Sequence, residues 1–292
     1  MVEQFLKYLR FEKNRSEQTV VRYEKSLRFF EKYFKSMDEG LTWASVDADI
    51  IRGWLEDMMD QGQKATSINA DLSALKTFYR FALARKMVNH DPAHHVQGPK
   101  KQKPLPQFLR EKEMDSLLDE MEWGDTYKDV RARTIILLFY ETGMRRAELR
   151  DLDDACVNLE GRQLKVTGKR NKQRIIPFGD ELASALQKYM ELRDAQIEKQ
   201  SGALFLTEKG QRMSASQIYL LVKEHLSKVS TLKKRSPHVL RHTFATAMLN
   251  HEASLESVKK LLGHKSLETT EIYTHTTFDQ LRRVYKEAHP RG

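Results

Sequence analysis

The sequence predicts a mainly α-helical protein of two domains, with a small antiparallel sheet in the second domain. Apolar residues recur at three- and four-residue spacing through most of the chain, which is typical of amphipathic helices. Between residues 155 and 178 the pattern changes to alternation and β-branched residues, which is typical of strands. A stretch rich in proline and lysine separates two such regions. We therefore expect an N-terminal helical bundle over 1–97, a linker over 98–106 and an α+β domain over 107–292.

The N-terminal domain is predicted from four helical stripes of apolar residues. The stripes begin at Phe5, Val20, Ile50 and Ile68. Asp47 is a candidate N-cap for the third helix, and Thr66 or Ser67 for the fourth, because their side-chain oxygens can accept hydrogen bonds from free backbone amides. Four amphipathic helices joined by short loops favour a compact bundle.

The second domain combines helical and strand patterns. Helices are predicted over 110–121, 128–142, 181–199, 214–228, 237–250, 254–262 and 267–286. Strands are predicted over 155–159, 163–167 and 173–178, and the sequence GKRNK between the last two indicates a hairpin turn. The run ALFLT at 203–207 is expected to form a further short strand. This order of elements favours an α+β domain with a small sheet.

The composition is that of a globular protein with excess positive charge. The chain has 292 residues, a formal net charge of +9 and 40% hydrophobic residues, and it contains no apolar run long enough to span a bilayer. Cys156 is the only cysteine, so no internal disulfide can form, and we expect a cytoplasmic protein. Residues 201–250 hold eight basic and two acidic side chains, or +6. This favours a polyanion as partner, although a solvated basic face has the same composition.

The segment TGMRRAEL, residues 142–149, is the first of four that carry reactive side chains. Gly143 can end the preceding helix, which would place Arg145 near the start of the next one, where free backbone amides favour anions. Glu148 lies three residues after Arg145 and is expected to hold its guanidinium group. Taken alone, the segment is better explained as an ordinary helix junction with a surface ion pair.

The second segment is the turn GKRNK, residues 168–172. A lysine on a tight turn between two strands can enter a neighbouring groove. A solvated basic turn is equally compatible with these residues, and physics alone does not rank Lys169 above Lys172.

The third segment, HVLRH, places His238 and Arg241 three positions apart on one helix face. The alternative is a metal site, because His238 and His242 are four positions apart. The helix of a zinc protease needs glutamate directly after its first histidine, and Val239 occupies that place. We therefore expect no metal here.

The fourth segment, LLGHKSLETTEIYTH, runs from residue 261 to residue 275. Gly263 is expected to end one helix, and His264 to project from the turn that follows. Tyr273 falls about two turns into the next predicted helix. Alone, Tyr273 would be interpreted as an ordinary core or surface aromatic.

Together the segments supply arginine, lysine, histidine and tyrosine side chains, with no cysteine nucleophile and no carboxylate cluster. Arginine binds phosphate oxygens through two parallel hydrogen bonds, and the phenol of tyrosine can attack phosphorus to form a covalent ester. Such a set suits phosphoryl transfer in which cations replace a metal ion. The sequence has no glycine-rich nucleotide motif, so we expect no cofactor.

In this order, the segments TGMRRAEL, VTGKRNKQRIIP, SPHVLRHTFAT and LLGHKSLETTEIYTH resemble the tyrosine recombinase family, especially its Xer-type bacterial branch. The resemblance covers essentially the whole chain, and the first domain resembles the family's SAM-like DNA-clamping domain. It implies a site-specific recombinase that cleaves and rejoins double-stranded DNA through a 3′-phosphotyrosyl intermediate, in chromosome dimer resolution or in mobile-element integration and excision. It also implies a homo- or hetero-tetramer on the DNA site, and leaves open a second recombinase or an activator.

The resemblance implies roles for the residues around the phosphate. Arg145 and Arg241 would bind the non-bridging oxygens of the scissile phosphate, with Glu148 as a supporting residue. His238 would handle protons, and His264 would donate a hydrogen bond to the phosphate.

Two further roles concern the reaction itself. Lys169 would protonate the leaving 5′-oxygen, and Tyr273 would be the nucleophile. Arg146 leaves open which arginine of the first segment points inward, and we expect Arg145. A final helix after Tyr273 would pack either on its own domain or on a neighbouring protomer. Topoisomerase-like relaxation and a non-catalytic DNA-binding role remain as alternatives.

Overall fold

The computed structural model describes residues 1–101, 107–168, 172–263 and 275–292, with the side chains of 275–277 and 279 left out. The chain folds as two compact units, Met1–Pro104 and Leu105–Gly292. Their boundary falls inside the stretch 98–106 that the sequence assigns to a linker. No helix among the described residues is both long and apolar enough to cross a membrane.

The N-terminal unit is helical, in agreement with its four predicted stripes. Its helices are α1 (Val2–Lys7, continued by a π-turn over Tyr8–Glu12), α2 (Glu17–Met37), α3 (Ala48–Asp60) and α4 (Ala65–Ala84). Asp47 caps α3, since its carboxylate accepts a 2.9 Å hydrogen bond from the Ile50 amide. The prediction for α4 was wrong. Thr66 and Ser67 lie inside that helix, because the chain turns from extended to helical backbone already at Lys64.

The core of this unit is unusually aromatic. Trp43, Phe30 and Phe78 are buried, and the Trp43 ring lies tilted against both phenylalanine rings, with its centroid 5.8 Å from that of Phe30 and 4.5 Å from that of Phe78. Tilted and edge-to-face contacts of this kind add to the free energy of burial. The bundle is therefore held by large side chains from α2, α4 and the loop between α2 and α3.

The C-terminal unit contains the remaining elements. Its helices are α5 (Glu111–Asp115, continued by a π-turn over Ser116–Glu120), α6 (Tyr127–Thr142), α7 (Arg146–Arg150), α8 (Asp180–Gln196), α9 (Ala215–Val229), α10 (Pro237–Asn250), α11 (Leu255–Leu262) and α12 (His275–Ala288). Its strands are β1 (Val157–Asn158), β2 (Gln163–Thr167) and β3 (Gln173–Pro177). Nearly every residue of α6 from Val130 to Thr142 is buried, so α6 is the central helix of this unit.

The three strands form an antiparallel sheet in the order β1-β2-β3. Leu164 pairs with Ile176 and Val166 with Arg174, and all four residues are buried. The inward face of β3 therefore carries an arginine as well as an isoleucine. The run 203–207 forms no sheet strand, contrary to expectation. Its backbone makes only isolated bridges, at Ala203 and Leu206, before the chain turns at Gly210.

The end of the chain packs on its own unit. Leu281, Tyr285 and Ala288 of α12 are buried against α10 and α11, around Phe244 and Leu261. Beyond α12, Arg291 donates hydrogen bonds to Glu181, Asp119 and Asp115. Within this single chain the final helix packs on its own unit, and docking on a neighbouring protomer stays a prediction.

Candidate active site

The candidate site begins at the junction between α6 and α7. Gly143 ends α6 in the left-handed conformation, with φ of 56°. A Cβ at Gly143 would lie 2.5 Å from the Phe244 ring and 2.8 Å from Leu262. Only glycine satisfies both the conformation and the packing without strain. The short junction places Arg145 directly before α7, as the sequence predicts.

Arg145 is held by both its backbone and its side chain. Its amide donates to Glu148 Oε2 at 2.7 Å, and its Nη1 donates to Glu148 Oε1 at 2.9 Å. Its Nη2 donates to the carbonyl of Gly263 at 3.2 Å. These bonds engage two of the five side-chain N–H groups, and 39% of the side chain is exposed. The guanidinium group is thus fixed in position and still accessible to a ligand.

Glu148 is the buried anion of the site, with 4% of the residue exposed. Burial acts to raise the pKa of its carboxyl, but the hydrogen bonds and charges of Arg174 and Arg145 outweigh burial and lower that pKa to about 2. Glu148 therefore stays ionised at neutral pH. The expected contact between Glu148 and Arg145 is present.

Arg241 approaches the same place from α10. It is 8% exposed, and it donates to the carbonyls of Gly143 at 2.6 Å and Leu262 at 2.7 Å. Burial and the positive charges of Arg145 and Arg174 lower the pKa of Arg241 to about 10. The group remains a cation at neutral pH, in a site where positive charge is in excess.

A third arginine, Arg174 on β3, completes the cluster and was missed by the sequence analysis. It is 7% exposed and binds both carboxylate oxygens of Glu148, at 2.8 and 2.9 Å, while its Nε donates to the Leu261 carbonyl at 2.9 Å. The sequence did contain a signal for Arg174. In a strand, residues two positions apart lie on the same face, so Arg174 shares the inward face of the predicted strand with Ile176. A charged residue at an inward position usually has a buried partner.

The three arginines converge on the carboxyl end of α11. The carbonyls of Leu261, Leu262 and Gly263 accept hydrogen bonds from Arg174, Arg241 and Arg145 respectively. The last carbonyls of a helix lack partners within the helix and carry partial negative charge, so they attract cations. Gly263 ends α11 in the left-handed conformation, with φ of 64°, as expected for this glycine.

His238 lies near the start of α10, directly after Pro237 at the first helical position. The residue is exposed overall, but partial desolvation of the ring and the positive charges of His242, Arg146 and the site arginines lower the pKa of His238 below its usual range. The neutral ring, which can accept a proton, is favoured at neutral pH.

A basic cleft of about 510 Å³ lies beside His238. We use "basic cleft" for the surface lined by Arg146, Tyr219, Lys223, Lys233, Lys234, Arg235, Ser236, Pro237 and His238. The Arg146 guanidinium lies over the Tyr219 ring, 5.9 Å from its centroid. Arg146 therefore faces the cleft, whereas Arg145 faces Glu148.

Three of the expected site residues, Lys169, His264 and Tyr273, lie outside the described residues. Within the ranges that are described, no group of three or more histidine, cysteine or acidic side chains is placed to hold a metal ion. The alternative of a metal at His238 and His242 thus has no third ligand in that part of the chain.

Comparison with known families gives two matches that together span most of the sequence. Residues 107–280 match the Phage integrase family, and residues 2–86 match the phage integrase N-terminal SAM-like domain. The first match covers more than half of the chain. The chain belongs to the phage integrase family.

Curated relatives resemble the whole chain. It is 34% identical to the tyrosine recombinase XerD of Oceanobacillus iheyensis, over 100% of this chain and 98% of that protein. It is 36% identical to the tyrosine recombinase XerC of Pelotomaculum thermopropionicum, again over 100% of this chain and 98% of the relative. The expectation of a Xer-type tyrosine recombinase, an enzyme class that cleaves and rejoins DNA, is confirmed.

Solved structures support the same fold. The XerH site-specific recombinase, in a post-cleavage complex with a palindromic difH substrate, has a TM-score of 0.73 at 22% identity, over 97% of this chain and 83% of that one. The Tn1549 transposon integrase, in complex with transposon right-end DNA, also has a TM-score of 0.73, at 21% identity over 98% of both chains. The predicted fold class, mainly helical with a small antiparallel sheet, is confirmed.

Proposed function

We propose that this protein is a site-specific DNA recombinase that breaks and rejoins strands through a 3′-phosphotyrosyl bond to Tyr273. The observation that carries the proposal is the convergence of Arg145 and Arg241 on the end of α11, from which the chain continues to His264 and Tyr273. Two arginine side chains fixed side by side suit the two non-bridging oxygens of a phosphodiester. Their charges would stabilise the phosphorane-like transition state without a metal ion.

The chemistry balances without a cofactor. The phenolic oxygen of Tyr273 attacks phosphorus and passes its proton to the neutral ring of His238, while the bond to the 5′-oxygen breaks and Lys169 gives that oxygen a proton. His238, neutral at neutral pH, takes part in proton handling, and His264 donates a hydrogen bond to the phosphate. A 5′-hydroxyl from the partner strand then attacks the phosphotyrosine and gives its proton to Lys169, while Tyr273 leaves and takes back the proton held by His238. The ester conserves the energy of the bond that was broken.

Double-stranded DNA is the proposed partner. The basic cleft carries the charges of Arg146, Lys223, Lys233, Lys234 and Arg235 next to His238. Lysine and arginine at such a surface would contact the phosphates that flank the cleavage point and release counterions. Because Arg146 faces this cleft, we assign Arg145 to the scissile phosphate and Arg146 to the DNA backbone.

The biological role we propose is chromosome dimer resolution in the cytoplasm, by a homo- or hetero-tetramer assembled on the recombination site. The support is the full-length similarity to Xer recombinases. Mobile-element integration or excision is the alternative role, and a second recombinase or an activator would be an additional partner.

A nicked suicide substrate that carries the recombination site tests the proposal. The protein is incubated with it in the absence of metal and nucleotide, and covalent adducts are resolved on a denaturing gel. We expect an adduct with the wild-type chain and none with Tyr273→Phe, which lacks the nucleophilic oxygen. Tyr33→Phe, which removes the hydroxyl of a tyrosine packed against the core of the N-terminal unit, is the matched control and should keep the adduct. An adduct that survives Tyr273→Phe would refute the assignment of the nucleophile.

Relaxation of supercoiled plasmid separates recombination from the topoisomerase alternative. A recombinase should give products with exchanged flanks from two marked sites. Relaxation of plasmids that lack the site, without any exchanged product, would overturn the recombinase assignment.

A further inference from the structure

We propose that Arg174 is a positioning residue for the cleavage step, which acts by locking Glu148 and the end of α11 so that Arg145 and Arg241 meet the phosphate in one fixed arrangement. The inference rests on the proposed function. Its basis is the set of contacts that one buried side chain on β3 makes with α7 and α11.

The first contact is a two-pronged ion pair with Glu148. Arg174 Nη1 binds Oε1 at 2.8 Å, and Nη2 binds Oε2 at 2.9 Å, so the carboxylate cannot rotate without breaking a bond. The same two oxygens accept hydrogen bonds from Nη1 and from the backbone amide of Arg145. Arg174 therefore fixes the group that fixes Arg145.

The second contact is with the end of α11. Arg174 Nε donates to the Leu261 carbonyl, and the next two carbonyls, of Leu262 and Gly263, bind Arg241 and Arg145. Movement of this helix end would therefore displace both arginines.

The surroundings leave Arg174 little freedom. A Cβ at Gly263 would lie 3.1 to 3.2 Å from Nη1, Cδ and Nε of Arg174. A Cβ at Gly168 would lie 3.3 Å from Glu148 Oε1 and 3.8 Å from Arg174 Nη1. Both glycines thus allow backbone to approach the ion pair closely, and Gly168 directly precedes Lys169 in the hairpin. The planar guanidinium group of Arg174 makes three hydrogen bonds in this space, and the ammonium group of a lysine does not reproduce that geometry.

The test compares Arg174→Lys with a matched control in the same unit. Arg193 is also buried, binds both oxygens of Asp154 at 2.7 and 2.9 Å, and donates to the Leu204 carbonyl. Arg193→Lys therefore removes a similar buried fork, outside the arginine cluster. The readout is the first-order rate constant of adduct formation on the suicide substrate at saturating protein. If a variant only lowers the fraction of active protein, the amplitude of the time course of adduct formation falls but the rate constant stays unchanged.

We expect Arg174→Lys to lower the rate constant on the order of 100-fold, as for misplacement of reacting groups by about 1 Å, with little change in DNA affinity. Arg193→Lys should keep the wild-type rate constant. A rate constant for Arg174→Lys within threefold of that for Arg193→Lys would overturn the inference. Absence of adduct with the wild-type chain would instead count against the proposed function.

A double-mutant cycle with Glu148→Gln tests the proposed route of action. If Arg174 acts through Glu148, the double variant should react about as slowly as the slower single variant. Independent, multiplicative losses would show that Arg174 does not act through Glu148.

Discussion

Replacement of Gly143 by alanine is expected to destabilise the C-terminal unit strongly, because this position has two requirements that only glycine satisfies. Its backbone is left-handed, with φ of 56°. The added methyl group would lie 2.5 Å from a Phe244 ring carbon and 2.8 Å from a Leu262 methyl, and both of those side chains are buried.

The size of the loss follows from the two effects. A left-handed conformation costs an L-residue roughly 1–2 kcal/mol. Forcing an extra methyl group into a packed core costs about 1–3 kcal/mol more. We therefore expect the free energy of unfolding to fall by about 2–5 kcal/mol. Cleavage should slow as well, because the Gly143 carbonyl accepts a hydrogen bond from Arg241.

Substitutions at two other glycines separate the conformational cost from the packing cost. Gly62 has φ of 73° and nothing within 4 Å of its would-be Cβ, so Gly62→Ala should show the conformational cost alone. Gly202 lies in the C-terminal unit with open space around it, and Gly202→Ala should be nearly neutral. Urea unfolding gives the free energies, and hydrogen–deuterium exchange of α6 and α3 peptides assigns each loss to a unit. If Gly143→Ala loses no more stability than Gly62→Ala, the packing argument is wrong.

Three further predictions concern the electrostatics. The pKa of Glu148 is lowered to about 2 in the folded protein. The contribution of the ionised carboxylate to the free energy of unfolding is therefore complete above the ordinary carboxyl pKa, and it is lost as pH falls from about 4.5 to 2. Glu148→Gln should abolish this pH dependence, which amounts to a change on the order of 3 kcal/mol in the free energy of unfolding measured by urea titration. Burial raises the pKa of Glu141 to about 7, so its dependence has the opposite sign: stability falls as pH rises from about 4.5 to 7, and Glu141→Gln should remove this fall. A Glu141→Gln curve parallel to wild type would contradict that assignment. In the basic cleft, Lys233→Gln with Lys234→Gln should reduce the slope of log affinity against log salt by about 0.9 for each phosphate that is no longer neutralised. Lys188→Gln, whose lysine pairs with Asp125, should leave the slope unchanged, and equal slopes for all variants would place the DNA elsewhere.

Most of the helices and the first part of the site follow from local sequence. The junction at Gly143 depends on a glycine that ends a helix and on the three-residue spacing from Arg145 to Glu148. These features lie within the six residues from Gly143 to Glu148. The C-cap at Gly263 is likewise a local signal. Arg174 differs, because its partners are 26 residues away at Glu148 and 87 residues away at Leu261. Local periodicity places Arg174 on an inward face but does not say what meets it there.

The two local errors have similar causes. Thr66 and Ser67 are good N-cap residues, yet the turn at Gly62 starts α4 earlier, at Ala65, without a side-chain cap. The run 203–207 has strand composition, but Ala203 and Leu206 pair with Asp153 and Arg212 at single positions only. A strand needs a continuous partner, and composition does not supply one. The roles of all the proposed site residues stay predictions, and Lys169, His264 and Tyr273 also lie outside the described ranges.

The arginine cluster at the end of α11 should link the stability of the C-terminal unit to the binding of an anion. Among the described residues, Arg145, Arg174 and Arg241 lie around one carboxylate, Glu148, so that three positive charges meet one negative charge. The repulsion among the three arginines opposes folding, and together with burial, which is the larger cause, it lowers the pKa of Arg241. A phosphodiester bound there would supply the missing negative charge and raise that pKa again. Substrate binding and folding would then be thermodynamically linked, and the melting temperature of the C-terminal unit would rise with DNA concentration.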